Sequence, residues 1–289
     1  MSDSPKITTI ESALSWARTI LKPISESYAK EARLLLADVM QTTHEFLMRY
    51  PERTLTFQQA DEFNRLVTER SKGTPIAYLL GRRGFFDIEV TVTPDVLIPR
   101  PETELLVEKA IEWARHRGHC FIVDVGAGSG VIALVLAKHL PNAHVTGIDV
   151  SENALQVAQQ NSLQLGLDKR VRWVQGDMLR PLVERREKAD LIVANLPYIP
   201  TADLATLEVA RHEPHLALDG GVDGLDPIRR LLADVPAVLK PDGLVLMEIG
   251  ADQGQAVRNL VQQSHPQLQV ITVETDLAGL DRIVSVCYE

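Results

Sequence analysis

At 289 residues, with 45% hydrophobic and 24% charged side chains, the chain has the composition of an ordinary globular protein, long enough for one large domain or a large and a small one. Its formal net charge of −9 argues against direct binding to nucleic acid, since such affinity comes mostly from Lys and Arg neutralising phosphates. Cys120 and Cys287 each border an apolar strand and imply no disulfide framework. No apolar run reaches membrane-spanning length and MSDSPKITT lacks the blocks of a signal peptide, so a cytoplasmic protein without membrane contact is expected.

The N-terminal third reads as helical. Thr8 and Glu11 suggest a capping box, and Ile10, Leu14, Ala17, Ile20 and Leu21 recur at helical spacing up to Pro23. A second amphipathic helix is predicted from Ser25 to Met40, and another from Phe57 to Ser71. Gly73, Pro75, Gly81 and Gly84 then break the pattern. Residues 1–80 are expected to form a small helical domain, residues 81–95 a hairpin linker, and residues 96–289 the main domain. Within the linker, Phe85 to Val92 alternates as a strand does. Pro99 and Pro101 hold Arg100 extended, while Glu102 and Glu104 fall in the first turn of a helix, where acids are favoured. From composition, Arg100 is expected to pair with one of these nearby glutamates.

The stretch FIVDVGAGSG, 121–130, predicts a buried strand, a tight turn and the start of a helix over Val131 to Leu140. Glycines at 126, 128 and 130 permit a sharp turn, with N–H groups expected to be free at the helix N-terminus. Their spacing is not that of a dinucleotide fingerprint, and no Lys-Ser/Thr pair follows to make a P-loop. The next strand, His144 to Ile148, ends in Asp149, placed to accept hydrogen bonds from a ribose, and Asp124 adds a second acid that would repel phosphate. A ligand with a ribose, a positive charge and no phosphate suits such a loop, and S-adenosylmethionine is one.

Strand and helix then alternate as in a mostly parallel sheet. A helix runs from Ser151 to Leu165, and strands cover Val171 to Gln175 and Ala189 to Ala194. Another helix, Leu225 to Leu239, is followed by a turn at Pro241, Asp242 and Gly243 and a strand over Leu244 to Ile249. Val270 to Thr275 and Ile283 to Tyr288 are expected as an antiparallel pair. Ligands of such sheets bind beyond the strands' C-terminal ends, so Asp124, Asp149, Asp177 and Asn195 are expected to line one cleft.

The fourth strand runs into Asn195, Leu196, Pro197 and Tyr198. The Asn195 side-chain oxygen and the Leu196 carbonyl can each accept a hydrogen bond from a substrate NH₂, and Tyr198 can stack on its planar π-system. A planar NH₂ is a poor nucleophile because its lone pair is delocalised. Holding it in line with a sulfonium methyl supplies the catalysis by orientation. His212 and His215 have no further ligands beside them to complete a metal site.

The tetrapeptide resembles the Asn-Pro-Pro-Tyr motif of methyltransferases that act on planar NH₂ groups. With GTPIAYLLG (73–81), VLIPRPETELLVE (96–108), DVGAGSG (124–130), EPHLALDGGVDGL (213–225) and EIGADQG (248–254), the chain resembles the PrmC (HemK) family, the glutamine-N5 methyltransferases of peptide chain release factors. That resemblance implies a Rossmann-like α/β domain of the class I S-adenosylmethionine-dependent type, preceded by a helical domain that docks the release factor and a β-hairpin linker. The substrate would be the Gln of a Gly-Gly-Gln motif in class-one release factors. Gly126, Ala127, Gly128, Ser129 and Gly130 would hold the methionine part of the cofactor, Asp149 its ribose, and Met178 would stand where the family has an aromatic residue beside the adenine. Asn195, touching the cofactor as well, would grip the glutamine with Leu196, Pro197 and Tyr198. Leu196 replaces a proline of the family, and Asn-Leu-Pro-Tyr is the form seen in rRNA adenine-N6 dimethyltransferases. An adenine-N6 methyltransferase acting on rRNA or DNA is therefore the alternative, and a non-catalytic module that keeps S-adenosylmethionine as a structural ligand is a third.

Overall fold

The computed structural model describes residues 8–288, so the expected absence of a signal-peptide pattern falls partly on residues outside it. The chain parts into two compact units, Met1–Gly81 and Arg82–Glu289.

The first unit is helical: α1 (Ile10–Leu21), α2 (Tyr28–Val39), α3 (His44–Arg49), α4 (Phe57–Ser71) and α5 (Ile76–Leu80). α1 begins one residue later than the sequence suggested. Its cap is Thr9, whose hydroxyl accepts from Ser12 N while the Ser12 hydroxyl accepts from Thr9 N, so serine fills the place given to Glu11. The apolar stripes of α1, α2 and α4 close over one core containing Ile10, Leu21, Leu35, Leu36, Phe63 and Val67. Arg70 pairs with Glu31 at 2.9 Å in a half-buried setting and also reaches the carbonyls of Gly73 and Thr74, fixing the turn into α5.

The second unit opens with the expected hairpin, β1 (Arg82–Phe85) and β2 (Ile88–Thr91), its turn falling inside the Phe85 to Val92 run that reads as a single strand. Phe86, at φ 54°, makes the turn. There follow α6 (Thr103–Ala114), β3 (Phe121–Val125), α7 (Val131–His139), β4 (His144–Asp149), α8 (Glu152–Gln164), β5 (Val171–Gln175), α9 (Arg180–Arg185), β6 (Ala189–Asn195), α10 (Thr201–Leu204), α11 (Asp226–Val238), β7 (Leu239–Glu248), α12 (Gly254–Ser264), β8 (Leu268–Thr275) and β9 (Asp281–Tyr288). One sheet takes these strands in the order β5-β4-β3-β6-β7-β9-β8, with β9 antiparallel to both its neighbours and the remaining pairs parallel. β3 and β6 lie at its centre, and Val123, Val125, Ile192 and Ala194 are fully or almost fully buried, as a sheet covered on both faces requires.

Pro241, Asp242 and Gly243 do not separate α11 from a later strand, as expected, but bulge within β7. Ala189 pairs with Leu239 and Leu191 with Leu244, and Lys240 turns back to hold Asp190 at 2.8 Å. The ends of β3, β4 and β6 stay level, since β3 registers against both its neighbours without a shift. Whatever those three strands present at their C-terminal ends meets in one place.

Candidate active site

β3 runs out into a loop in which Gly126, Gly128 and Gly130 all adopt positive φ, at 74°, 54° and 81°. A Cβ on Gly130 would lie 2.6 Å from the Trp173 ring, and one on Gly126 would lie 3.1 Å from the Leu196 side chain, so both positions also need the space. Four of the N–H groups expected to be free are not. Gly126 N and Ala127 N both donate to the Ile148 carbonyl, Gly130 N to the Ala127 carbonyl, and Gly128 N to Asp149 Oδ2 at 2.8 Å. The loop therefore offers a ligand a close-fitting wall with few donors, and its strand-to-helix turn is held by β4.

Asp149 takes Gly128 N on one oxygen and Ser151 N on the other, at 2.8 and 2.9 Å. Burial pushes its carboxyl above the usual range, while these backbone donors pull it down. Asp124 departs from expectation. It is fully buried and does not line the cleft: Oδ2 accepts from Ala133 N at 3.0 Å, capping the first turn of α7, and Oδ1 has no hydrogen-bond partner among the described residues. Burial raises its carboxyl to about 7. The strand-ending acids thus divide, one structural at β3 and one facing the cleft at β4.

The cleft itself has a volume of about 380 Å³, within the range of small-molecule sites. Gly126, Gly128, Asp149 and Val150 lie on its lining, as do Met178, Asn195, Leu196 and Pro197. Met178 has φ 51°, an uncommon value for a residue other than glycine. Four carboxylates, Asp95, Asp149, Asp177 and Asp219, face this space against one guanidinium, Arg230, which is paired to Asp177. Ala127, Ser129 and Gly130 are not on its lining. They stand behind the wall, where the Ser129 carbonyl accepts from Asn161 Nδ2 at 2.9 Å.

A second cavity of about 220 Å³ is lined by Arg100, Tyr198, Leu218 and Glu248, and shares Leu97, Asn195, Leu196, Pro197 and Ala217 with the first. The tetrapeptide that ends β6 is a partition between two chambers. Its geometry is fixed from both sides. Asn195 Nδ2 donates to Thr103 Oγ1 at 2.9 Å, which leaves its carbonyl oxygen as the free end of the amide. Gln253 Nε2 donates to the carbonyls of Tyr198 and Gly224, and its Oε1 accepts from Gly250 N at 2.8 Å. Burial raises the Tyr198 hydroxyl above its ordinary range, so the ring stays neutral.

Arg100 does not pair with Glu102 or Glu104. It meets Glu213 at 2.5 Å, and the buried Glu213 also accepts from Ile98 N at 3.0 Å, tying the proline-bounded segment to the loop at 213. Thr103, Glu213, Glu248 and Gln253 were not singled out from the sequence. Glu248 carried a legible signal, an acid closing an apolar central strand, as Asp124 and Asp149 do. The described residues contain no cluster of acids, His or Cys able to hold a metal ion and no helix long and apolar enough to cross a membrane.

Comparison with known proteins bears on both units. A family model described as a methyltransferase domain matches residues 116–269, and one described as the PrmC N-terminal domain matches residues 12–81. The chain is 45% identical to the release factor glutamine methyltransferase of Moorella thermoacetica over 87% of its length and 88% of that protein's. It is 38% identical to the one from Geobacter sulfurreducens over 98% of both chains. Among solved structures, a methyltransferase from Pyrococcus furiosus superposes with a TM-score of 0.53 at 20% identity, covering 70% of this chain and 89% of that one, a likeness of fold.

Proposed function

Because the chain belongs to the release factor glutamine methyltransferase family, we propose that its reaction takes place across the Asn195–Tyr198 partition, with S-adenosylmethionine in the larger chamber and the substrate glutamine reaching it from the smaller. The enzyme moves the methyl group of S-adenosylmethionine to the side-chain amide nitrogen, N5, of the glutamine in the Gly-Gly-Gln motif of a release factor. The cofactor supplies an electrophilic methyl on a sulfonium. The larger chamber suits it: Asp149 ends β4 at the wall, Met178 and Val150 give apolar surface for a base, and Gly126, Ala127, Gly128 and Gly130 have their N–H groups already taken, leaving few for a phosphate.

The orientation of Asn195 carries the assignment of roles. With its NH₂ committed to Thr103, its oxygen is left to accept one N–H of the substrate amide. The Leu196 carbonyl accepts the other, and Tyr198 packs on the amide plane. Two fixed acceptors turn the nitrogen toward the methyl and hold it, and that orientation replaces a strong base. Pro197 stiffens the turn between grip and ring. Gly126 and Gly128 bring backbone close to the cofactor, with Ala127, Ser129 and Gly130 shaping the loop from behind. The helical unit docks the release factor, and the hairpin after it acts as the linker. Leu196, like proline, contributes a carbonyl here, and a rim with four acids suits an adenine in a phosphate chain poorly.

The test is transfer of label from the cofactor to a release factor, to its Gln→Ala variant, and to deproteinised rRNA and DNA. Label should enter the unmodified release factor alone. Residues 94–289 should still bind cofactor yet label whole release factor poorly; equal rates for that fragment and the full chain would remove the docking role. Label in adenine, with release factor untouched, would overturn the substrate.

A further inference from the structure

Beneath the partition lies a carboxylic acid with no role so far. Glu248 ends β7 and registers against Asn195 at the end of β6, so the two side chains leave neighbouring strands on the same face of the sheet. It is only 2% exposed, lines the smaller chamber, and its Oε2 has no hydrogen-bond partner among the described residues. The Thr103 hydroxyl and, more weakly, the Asn195 amide favour its charged form. Thr103, 3% exposed, is the same residue that accepts Asn195 Nδ2 at 2.9 Å. Two buried polar side chains and the half-buried Asn195 thus form a line from β7 through α6 to β6.

We propose that Glu248 is a positioning residue whose charge sets the direction of this line, and with it which end of the Asn195 amide faces the substrate. Ionised, Glu248 can only accept. It accepts a hydrogen bond from the Thr103 hydroxyl, so the Thr103 oxygen is left to accept from Asn195 Nδ2, and the Asn195 oxygen faces the partition. Protonated, Glu248 can donate to the Thr103 oxygen. The Thr103 hydroxyl then turns its proton to Asn195, the amide reverses, and an NH₂ donor faces the substrate NH₂. Two donors repel, and the grip is lost. One proton at Glu248 therefore switches Asn195 from acceptor to donor. This inference depends on Asn195 being the amide grip.

The surroundings place the switch in the working range. Burial raises the Glu248 carboxyl to about 7 against the hydrogen bonds from Thr103 and Asn195. Of the other groups facing it, Arg282 on β9 favours the charged form and Glu102 at the start of α6 opposes it. Tyr198, itself raised by burial, is neutral, and Arg100 lines the same chamber while bound to Glu213.

The experiment is the pH profile of kcat on release factor at saturating cofactor. In the wild type kcat should rise about tenfold from pH 6 to a plateau above pH 8, as for one group ionising near 7. Glu248→Gln cannot ionise, and its profile should be flat over that range, with KM for the cofactor within about twofold of wild type. Thr103→Val, which breaks the line, should lose at least about tenfold in kcat at pH 8 and show no slope down to pH 6, and Thr103→Ser should recover the wild-type slope. A wild-type slope retained in Glu248→Gln, or a flat wild-type profile, overturns the proposal. Should Glu248→Gln fail to fold by circular dichroism, the Val and Ser variants at Thr103 decide it, and equal profiles for the two would refute it. Asn195→Ala serves as the reference. If it stays fully active the grip itself fails, whereas if it is inactive and Glu248→Gln keeps the slope, only the switch fails.

Discussion

Replacing Asp149 by asparagine, which looks conservative, should weaken cofactor binding. The carboxylate accepts one backbone N–H on each oxygen, from Gly128 and from Ser151. Asparagine has one oxygen and an NH₂, so one of the two donors would face another donor. A buried N–H left unpaired costs ~1–3 kcal/mol, and part of that cost falls on the closure of the glycine loop. Each ribose hydroxyl bond also loses its charge assistance, falling from ~1.5–3 to ~0.5–1.5 kcal/mol. Together these should weaken S-adenosylmethionine by ~2 kcal/mol or more, roughly 30-fold in Kd, with Asp149→Ala at least as weak. Titration calorimetry near pH 7.5, paired with a thermal melt, separates the two contributions, because the loop penalty lowers Tm in the free protein and the ribose penalty does not. Calorimetry giving Asp149→Asn a Kd within about threefold of wild type would refute both the ribose role and the anchoring of the loop.

Asn195→Ala should lower turnover by ~10² or more, the scale for removing a fixed acceptor worth ~3 kcal/mol at the transition state, while circular dichroism stays native. Leu196→Pro restores the family tetrapeptide without removing either acceptor. Activity on release factor should stay within about tenfold, and none should appear on adenine; a larger loss would mean that residue 196 contributes more than its carbonyl. Asp124→Asn should raise Tm near pH 8 and lose that advantage as the pH falls. The folded carboxyl titrates near 7 against 3.8 for a free one, so its ionisation costs stability above that range and nothing once both states are protonated. At ~1.4 kcal/mol per unit of pKa the gain is bounded at ~4 kcal/mol, and melts showing no pH-dependent difference would count against a buried charge there.

α4 was readable to the residue, because Thr56 and Gln59 form a capping box ahead of a long amphipathic run. α3 and α5, of 6 and 5 residues, are too short to show periodicity and were missed. The hairpin was expected, but Phe86 hid the place of its turn, since an aromatic residue at positive φ carries none of the usual turn chemistry. Pro241 to Gly243 misled in the opposite sense, turn residues absorbed as a bulge by the pairing on either side. In the site, Asp149 and Asn195 were legible because an acid or amide closing an apolar run is a local pattern, though Glu248 closes β7 in the same way and was passed over. The partners that hold the site residues were not legible. Arg100 and Glu213 lie 113 residues apart and Asn195 and Thr103 lie 92 apart, separations across which no local spacing operates.

The imbalance of charge around the larger chamber bears on turnover as well as on binding. Four carboxylates and one guanidinium face that space, and S-adenosylmethionine, proposed to bind there, carries one more positive charge than the thioether left behind once its methyl has gone. The same field that attracts the incoming molecule releases its hold on the outgoing one, because attraction depends on the charge that the reaction removes. Adenine nucleotides, which share the adenosine but carry several negative charges, meet repulsion and find few free N–H groups in the loop to offset it. The chamber therefore sorts by charge among molecules of similar shape, and added salt should blunt that sorting before it disturbs the fold.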